Sequence, residues 1–190
     1  MSKYTFQTAA TDPIEFGGDP ALATAHLTTY ALDLTSENVT AISAICDTST
    51  DAVDRAKHGR DWWPLSMTWS LRNEVPQIPN VVCRPRTTQE VSLLLAYCND
   101  RSIAVTPSGG RSGVCGAAIP LSAGVSLDMT FMQGIESIDT VSGVVEVLAG
   151  TFGPDLEKAV RENGLTIGHY PQSFDIATRS EERRVGKECV

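Results

Sequence analysis

Long apolar runs are missing from this chain. No stretch of its 190 residues approaches the roughly 20 apolar residues that cross a bilayer, so a membrane span is not expected. Paired cysteines are missing too. Cys46, Cys83, Cys98, Cys115 and Cys189 are scattered with no CxxC pair, which argues against a zinc site and against a disulfide framework. A reduced, cytoplasmic setting is the simplest expectation. The opening MSKYTFQTAATDPIEFGG has one lysine and no apolar core, so it does not read as a secretory signal. Basic residues are in short supply, with 15 Lys and Arg against 23 Asp and Glu. The net charge of -8 disfavours nucleic acid or an anionic membrane as the main partner. What is present, 42% hydrophobic and 20% charged residues, fits a soluble globular chain of one domain or one domain plus an extension.

Residues 1–40 are rich in Thr, Ala and Gly and show little periodicity. A helical pattern runs from Val39 to Lys57, interrupted at Asp47–Asp51 by residues that prefer caps and turns. From Asn80 the pattern becomes regular. Val81-Val82 predicts a short strand ending near Pro85. Thr87-Thr-Gln-Glu90 is a capping-box signature, opening a helix to about Asp100 that buries Val91, Leu94, Leu95 and Cys98. Strands are expected at Ile103–Val105, Val125–Leu127, Gly134–Ile138 and Val144–Leu148. A second helix starts at Gly153-Pro154-Asp155, faces Leu156, Ala159 and Val160 inward, and stops at Asn163-Gly164. A last strand is expected at Leu165–Ile167. The order is mixed α/β, of α+β class, without internal repeats.

The segment richest in chemistry is Pro107-Ser108-Gly109-Gly110-Arg111-Ser112-Gly113, continuing to Gly116. Glycines between two strands let a backbone approach a ligand closely, and successive N–H groups in such a loop form an anion nest. Ser108 and Ser112 add hydroxyls, and Arg111 adds a guanidinium suited to phosphate. There is no Gly-Lys-Ser/Thr ending and no GxGxxG opening a helix, so neither common nucleotide fingerprint applies. On spacing alone, a plain glycine-rich surface loop is an equal alternative. A second loop, Pro171-Gln172-Ser173-Phe174-Asp175-Ile176-Ala177-Thr178, follows Gly168-His169-Tyr170.

Taken together, these stretches resemble the FAD domain of the vanillyl-alcohol oxidase / p-cresol methylhydroxylase family, over about residues 55–178. The resemblance is closest to the branch of alkyl-dihydroxyacetone-phosphate synthases and FAD-linked oxidases. It rests on His58-Gly-Arg-Asp-Trp-Trp-Pro64, on Val82-Cys-Arg-Pro-Arg-Thr-Thr-Gln-Glu-Val91, on the loop at 107–116 followed by Leu127-Asp128-Met129, and on Gly168 to Thr178. It implies a two-subdomain FAD-binding fold, with Pro107–Gly113 holding the pyrophosphate and Pro171–Thr178 beside the flavin and its linker. Relatives with a covalent flavin place a His where this chain has Arg111, so FAD is expected to bind non-covalently. Gly110→Val is expected to abolish FAD binding in the full-length protein, because a β-branched residue does not take φ > 0 cheaply. A flavin-dependent 2-hydroxy-acid dehydrogenase shares the same domain, and a truncated phosphate-binding fragment without turnover is the alternative of another class. No catalytic acid or base and no metal is assigned. The small-molecule substrate would be held by a C-terminal domain, and a homodimer is left open.

The domain plan expected is an N-terminal extension at 1–55, an incomplete FAD-binding domain at 56–178 and a non-native tail at 179–190. Apolar patterning stops at Arg179, and Arg179 to Cys189 equals the translation of a common sequencing-library adapter. The family pattern would instead continue with a Gly-Gly-Trp stretch. Of the remaining residues, Asp54, Arg55, Lys57, Arg60 and Asp61 read as a solvated charged face. Trp62, Trp63 and Trp69 read as packing rather than a platform, His169 as a loop histidine rather than a proton carrier, and Cys115 as a small apolar filler.

Overall fold

The computed structural model describes residues 15–29 and 33–178; the tail at 179–190 lies outside them. The central feature is a four-stranded sheet in the order β2-β4-β6-β5, built from Asp47–Ser49, Val81–Arg84, Val125–Asp128 and Val105–Ser108. β4, β6 and β5 run parallel, and β2 closes one edge antiparallel to β4. Every residue of β6 is buried, as a central parallel strand covered on both faces requires. Helices α1 (Ser36–Ser43) and α4 (Thr88–Asp100) supply Ile42, Leu94 and Cys98 to the core beneath it, which they share with Cys46, Val81, Cys83, Val125 and Leu127. Residues 36–49 are therefore built into the sheet rather than appended to it.

A second, smaller core joins the hairpin β7–β8 (Ile135–Asp139 and Val144–Val147) to α5 (Gly153–Arg161), through Ile135, Leu156, Ala159 and Val160. Between the two sheets and the N-terminal segment lie α2 (Ala52–Lys57), α3 (Pro64–Ser70) and a two-residue parallel pair, β1 (Thr24–Ala25) with β3 (Glu74–Val75). The two cores give the two-subdomain α+β architecture expected. Among the described residues no helix is long and apolar enough to cross a membrane.

Several local expectations are revised. The break in the 39–57 helical pattern is a strand, β2, because pairing with β4 wins over local turn preference. Thr87 accepts from the Glu90 N–H at 3.1 Å, but Glu90 Oε2 takes the N–H of Arg86 rather than that of Thr87. Leu95 is exposed, so the buried face of α4 is narrower than its spacing suggested. The strand expected from Ile103 begins at Val105, because Ile103 N–H still bonds back to the Cys98 carbonyl at the end of α4, with Ser102 left-handed. Cys115 is exposed, not a filler. The charged face expected from Asp54, Arg55, Lys57, Arg60 and Asp61 is split: Lys57 is exposed, Asp54 and Arg55 are half-buried, and Arg60 and Asp61 are buried, as is His58 between them.

Candidate functional site

The parallel register places Ser108, the last residue of β5, beside Asp128, the last of β6. The glycine-rich loop therefore starts at the carboxyl end of the sheet, where open α/β sheets bind their ligands. Pro107 and Ser108 are strand residues rather than loop, which fixes the loop's first two positions to β6. The left-handed residues of the loop are Arg111, at φ 57°, and Gly116, at φ 79°, and not Gly110. A non-glycine residue held there costs about 1–2 kcal/mol, strain of the kind that collects at ligand sites.

A buried charged network lies beneath this end of the sheet. His58 Nε2 is 3.0 Å from Asp128 Oδ2, and His58 Nδ1 is 2.8 Å from the Asp54 carbonyl. Both ring nitrogens thus face oxygen atoms of aspartates. Arg84, at the end of β4, donates to both oxygens of Asp54 at 2.6 Å, and its Nε lies 3.7 Å from Asp128. The other oxygen of Asp128 accepts from the Thr130 N–H and hydroxyl. Burial pushes both carboxyls up, but hydrogen bonds from His58 to both, from Arg84 to Asp54 and from Thr130 to Asp128 outweigh it. Asp54 and Asp128 are held below the usual carboxylate range.

The second loop is held by α5. Burial of Glu157 pushes its carboxyl up, but four donors reverse this: the Tyr170 hydroxyl, the Ile167 N–H, the Thr166 hydroxyl and Arg161 bring it down to about 2. This explains why Leu165–Ile167 is not a strand: its backbone N–H is claimed by a side chain, not by a neighbouring strand. Because the folded value lies below the unfolded one of about 4.3, the contribution of Glu157 is present above that pH and lost as pH falls through about 2. Glu157→Ala is expected to speed hydrogen exchange at the Ile167 amide by at least about tenfold at pH 7. The stability gap between variant and parent should close toward pH 2; equal exchange in the two proteins would show that Glu157 does not hold the loop.

Both loops open onto one cavity of about 1290 Å³. Pro107, Ser108, Gly109, Ser112 and Gly113 line it from the first loop, and Pro171, Gln172 and Ser173 from the second. Gly110 and Arg111 are not on its wall. Nor are Phe174, Asp175, Ile176, Ala177 and Thr178. Phe174 packs on Tyr170, while Ala177 and Thr178 are buried, with Thr178 bridging Phe152. Sequence reasoning missed Trp62, Leu127, Met129 and Ala149 on the wall. His169, taken as a plain loop residue, also lines it. The residues fit an anionic dinucleotide. Ser108 Oγ is buried without a protein hydrogen-bond partner at the cavity. Burial and the nearby Arg111 guanidinium both push Arg60 below its ordinary value, marking two cations close together beside the loop.

The chain matches the FAD binding domain family over residues 79–178, just over half its length. It is similar to the mitochondrial D-2-hydroxyglutarate dehydrogenase of Bos taurus, 34% identical over 131 residues, covering 66% of this chain and 24% of that protein. It is also similar to the alkyldihydroxyacetonephosphate synthase of Dictyostelium discoideum, 31% identical over 108 residues, covering 55% and 18%. The chain thus spans about a quarter or less of the length of these relatives. In fold it is similar to a structure of alkyldihydroxyacetonephosphate synthase, with a TM-score of 0.73 at 24% identity over 92% of this chain and 33% of that one. It is similar as well to p-cresol methylhydroxylase with substrate bound, with a TM-score of 0.58 at 17% identity over 73% and 27%. On the family match and the fold together, the chain belongs to the FAD binding domain family.

Proposed function

We propose that the chain binds FAD non-covalently, with the pyrophosphate on Pro107–Gly113 and with Pro171–Thr178 beside the flavin and its linker. One observation carries this reading: two loops 60 residues apart front a single cavity, and the buried Ser108 hydroxyl there has no protein partner. Arg60 and Arg111 supply positive charge beside the loop, and the Ser108–Asp128 register fixes where it begins. When bound, FAD supplies electron acceptance at the flavin N5. The residues of this chain bind and orient it. We take the whole enzyme to be an FAD-linked oxidoreductase or an alkyl-dihydroxyacetone-phosphate synthase-like enzyme of the cytoplasm, holding its small-molecule substrate in a further domain. The 2-hydroxy-acid dehydrogenase reading is favoured by the Bos taurus relative. Reduction of a dye with D-2-hydroxyglutarate, by a protein extended to the length of these relatives, would select it over the synthase reading.

The test is a titration of FAD into the 190-residue chain, followed by flavin fluorescence, with release of intact flavin on acid precipitation. Arg111→Gly separates binding from folding. It removes a cation beside the loop, so FAD affinity should fall about tenfold or more, the scale of a charge-assisted contact. It also relieves the left-handed backbone at φ 57°, so the melting temperature should hold or rise. Unchanged affinity in Arg111→Gly would remove Arg111 from the anion site. Flavin retained after acid precipitation would overturn the non-covalent reading.

A further inference from the structure

The three tryptophans of the chain are nearly adjacent in sequence but do different things. Trp69 stacks on His26 with ring centroids 3.9 Å apart, and Trp63 meets Trp69 edge-on at 5.4 Å. These two tie the N-terminal segment to α3, as the sequence suggested. Among the described residues Trp62 has no aromatic partner and belongs to neither hydrophobic core. Trp62 lines the cavity instead.

The Trp62 backbone is anchored at that wall. Its N–H donates to the Gly113 carbonyl at 2.9 Å, which joins the lead-in segment directly to the glycine-rich loop. Asp61, 1% exposed, accepts the Trp63 N–H at 2.9 Å through Oδ1, and its own carbonyl accepts from Ser66. The loop passes close to Asp61 here: a Cβ at position 113 would make an ordinary contact, 3.5 Å from Asp61 Oδ2. The backbone at Trp62 is therefore held on both sides. Yet among the described residues its buried Nε1–H has no acceptor, and Ser108, whose buried Oγ is also without a partner there, lines the same cavity. Buried donors nearly always find an acceptor, because leaving one unmade costs the full desolvation of the group. Trp62 and Ser108, which carry two of the five such atoms among the described residues, both line this cavity, and a ligand there would supply the missing partners.

We propose that Trp62 is a cofactor-contacting residue: its indole forms the cavity wall beside Gly113, and its Nε1–H donates to an oxygen of the bound dinucleotide. This rests on the FAD reading above. It makes the lead-in segment part of the cofactor site rather than a prelude to it.

Trp62→Phe keeps an apolar wall and removes the donor. Titrated with FAD, the 190-residue variant should bind about five- to tenfold more weakly than the parent, the size of one hydrogen bond, with an unchanged melting temperature. In 1H–15N spectra of the parent chain, FAD should move the Trp62 indole N–H downfield, by more than those of Trp63 and Trp69. That readout does not depend on any variant's stability, and Trp62→Tyr can assign the signal if Trp62→Phe folds poorly. If the parent binds FAD but Trp62→Phe binds equally well, or the Trp62 signal stays fixed, the Trp62 proposal fails and the cofactor reading stands. Equal losses of affinity and melting temperature would show a packing role and overturn it. No binding by the parent up to about 1 mM FAD would overturn both.

Discussion

Replacing Arg84 by Met will lower the stability of the chain by about 3–5 kcal/mol, the cost of stranding a buried charge. Arg84 is the cation that both Asp54 oxygens face at 2.6 Å, and it also lies 3.7 Å from Asp128. Its removal leaves two carboxylates sharing the single imidazole of His58 in a place with little water. The cation–π contact of Arg84 with Phe131 is lost as well. The pH dependence gives the prediction a second edge. Asp54 and Asp128 have folded values below their unfolded ones, so their contribution is full above about pH 4 and fades as pH falls through the folded values. Without Arg84 the folded value of Asp54 rises, and acid unfolding should begin at higher pH. Denaturant unfolding at pH 7 and at pH 4 checks both parts. A loss below about 1 kcal/mol at pH 7 would show that the network is no stronger than an exposed ion pair. The functional consequence is local. Asp128 is the strand neighbour of Ser108, so FAD affinity should fall along with stability.

That network also shows where sequence reading stops. The regular part of the fold was legible. The strands near Val81, Val125, Gly134 and Val144, the α4 cap at Thr87 and the Pro154 start of α5 all follow from local pattern, and the structure has them within a residue or two. The strand β2 was not legible, because Asp47-Thr-Ser49 has turn composition and becomes a strand only by pairing with β4. The buried state of His58, Arg60 and Asp61 was not legible either. Charged residues in sequence read as surface, and nothing local to His58 announces Asp128, its partner 70 residues away. At the site, the two loops carried their own signal as glycine and small polar residues. Trp62 and Met129 lay in stretches that carried the resemblance, but nothing in their residue types marked them as wall, because a cavity wall is defined by what packs around it. The same limit applies to Arg111, whose left-handed backbone follows from loop geometry and not from its residue type.

Gly150→Ala is the second large effect, and it acts through a single methyl group. A Cβ on Gly150 would lie 1.9 Å from the Met129 carbonyl oxygen, 2.8 Å from its carbon and 2.9 Å from the Thr130 Cα. All three are backbone atoms, so no side-chain rotation can relieve the clash. The two chain segments must separate, and they are the ones that join the main sheet to the hairpin and α5. The Gly150 N–H donates to Met132, and next to it Thr151 Oγ1 both accepts from the Gly134 N–H and donates to the Gly134 carbonyl. Met129 and Ala149 flank the same crossing and line the cavity. Separation therefore breaks buried hydrogen bonds and opens the cavity wall at once. The expected loss is roughly 3 kcal/mol or more, at the upper end for overpacking a filled interior, together with loss of FAD binding. Gly164→Ala is the matched control. Its Cβ meets nothing within 4 Å, so it carries only the left-handed cost of φ 73° at the end of α5. Thermal melts of the two variants should differ widely, with Gly150→Ala far less stable. If Gly150→Ala melts as high as Gly164→Ala, the close crossing of the two segments is not present in solution, and the cavity built on it loses one of its walls.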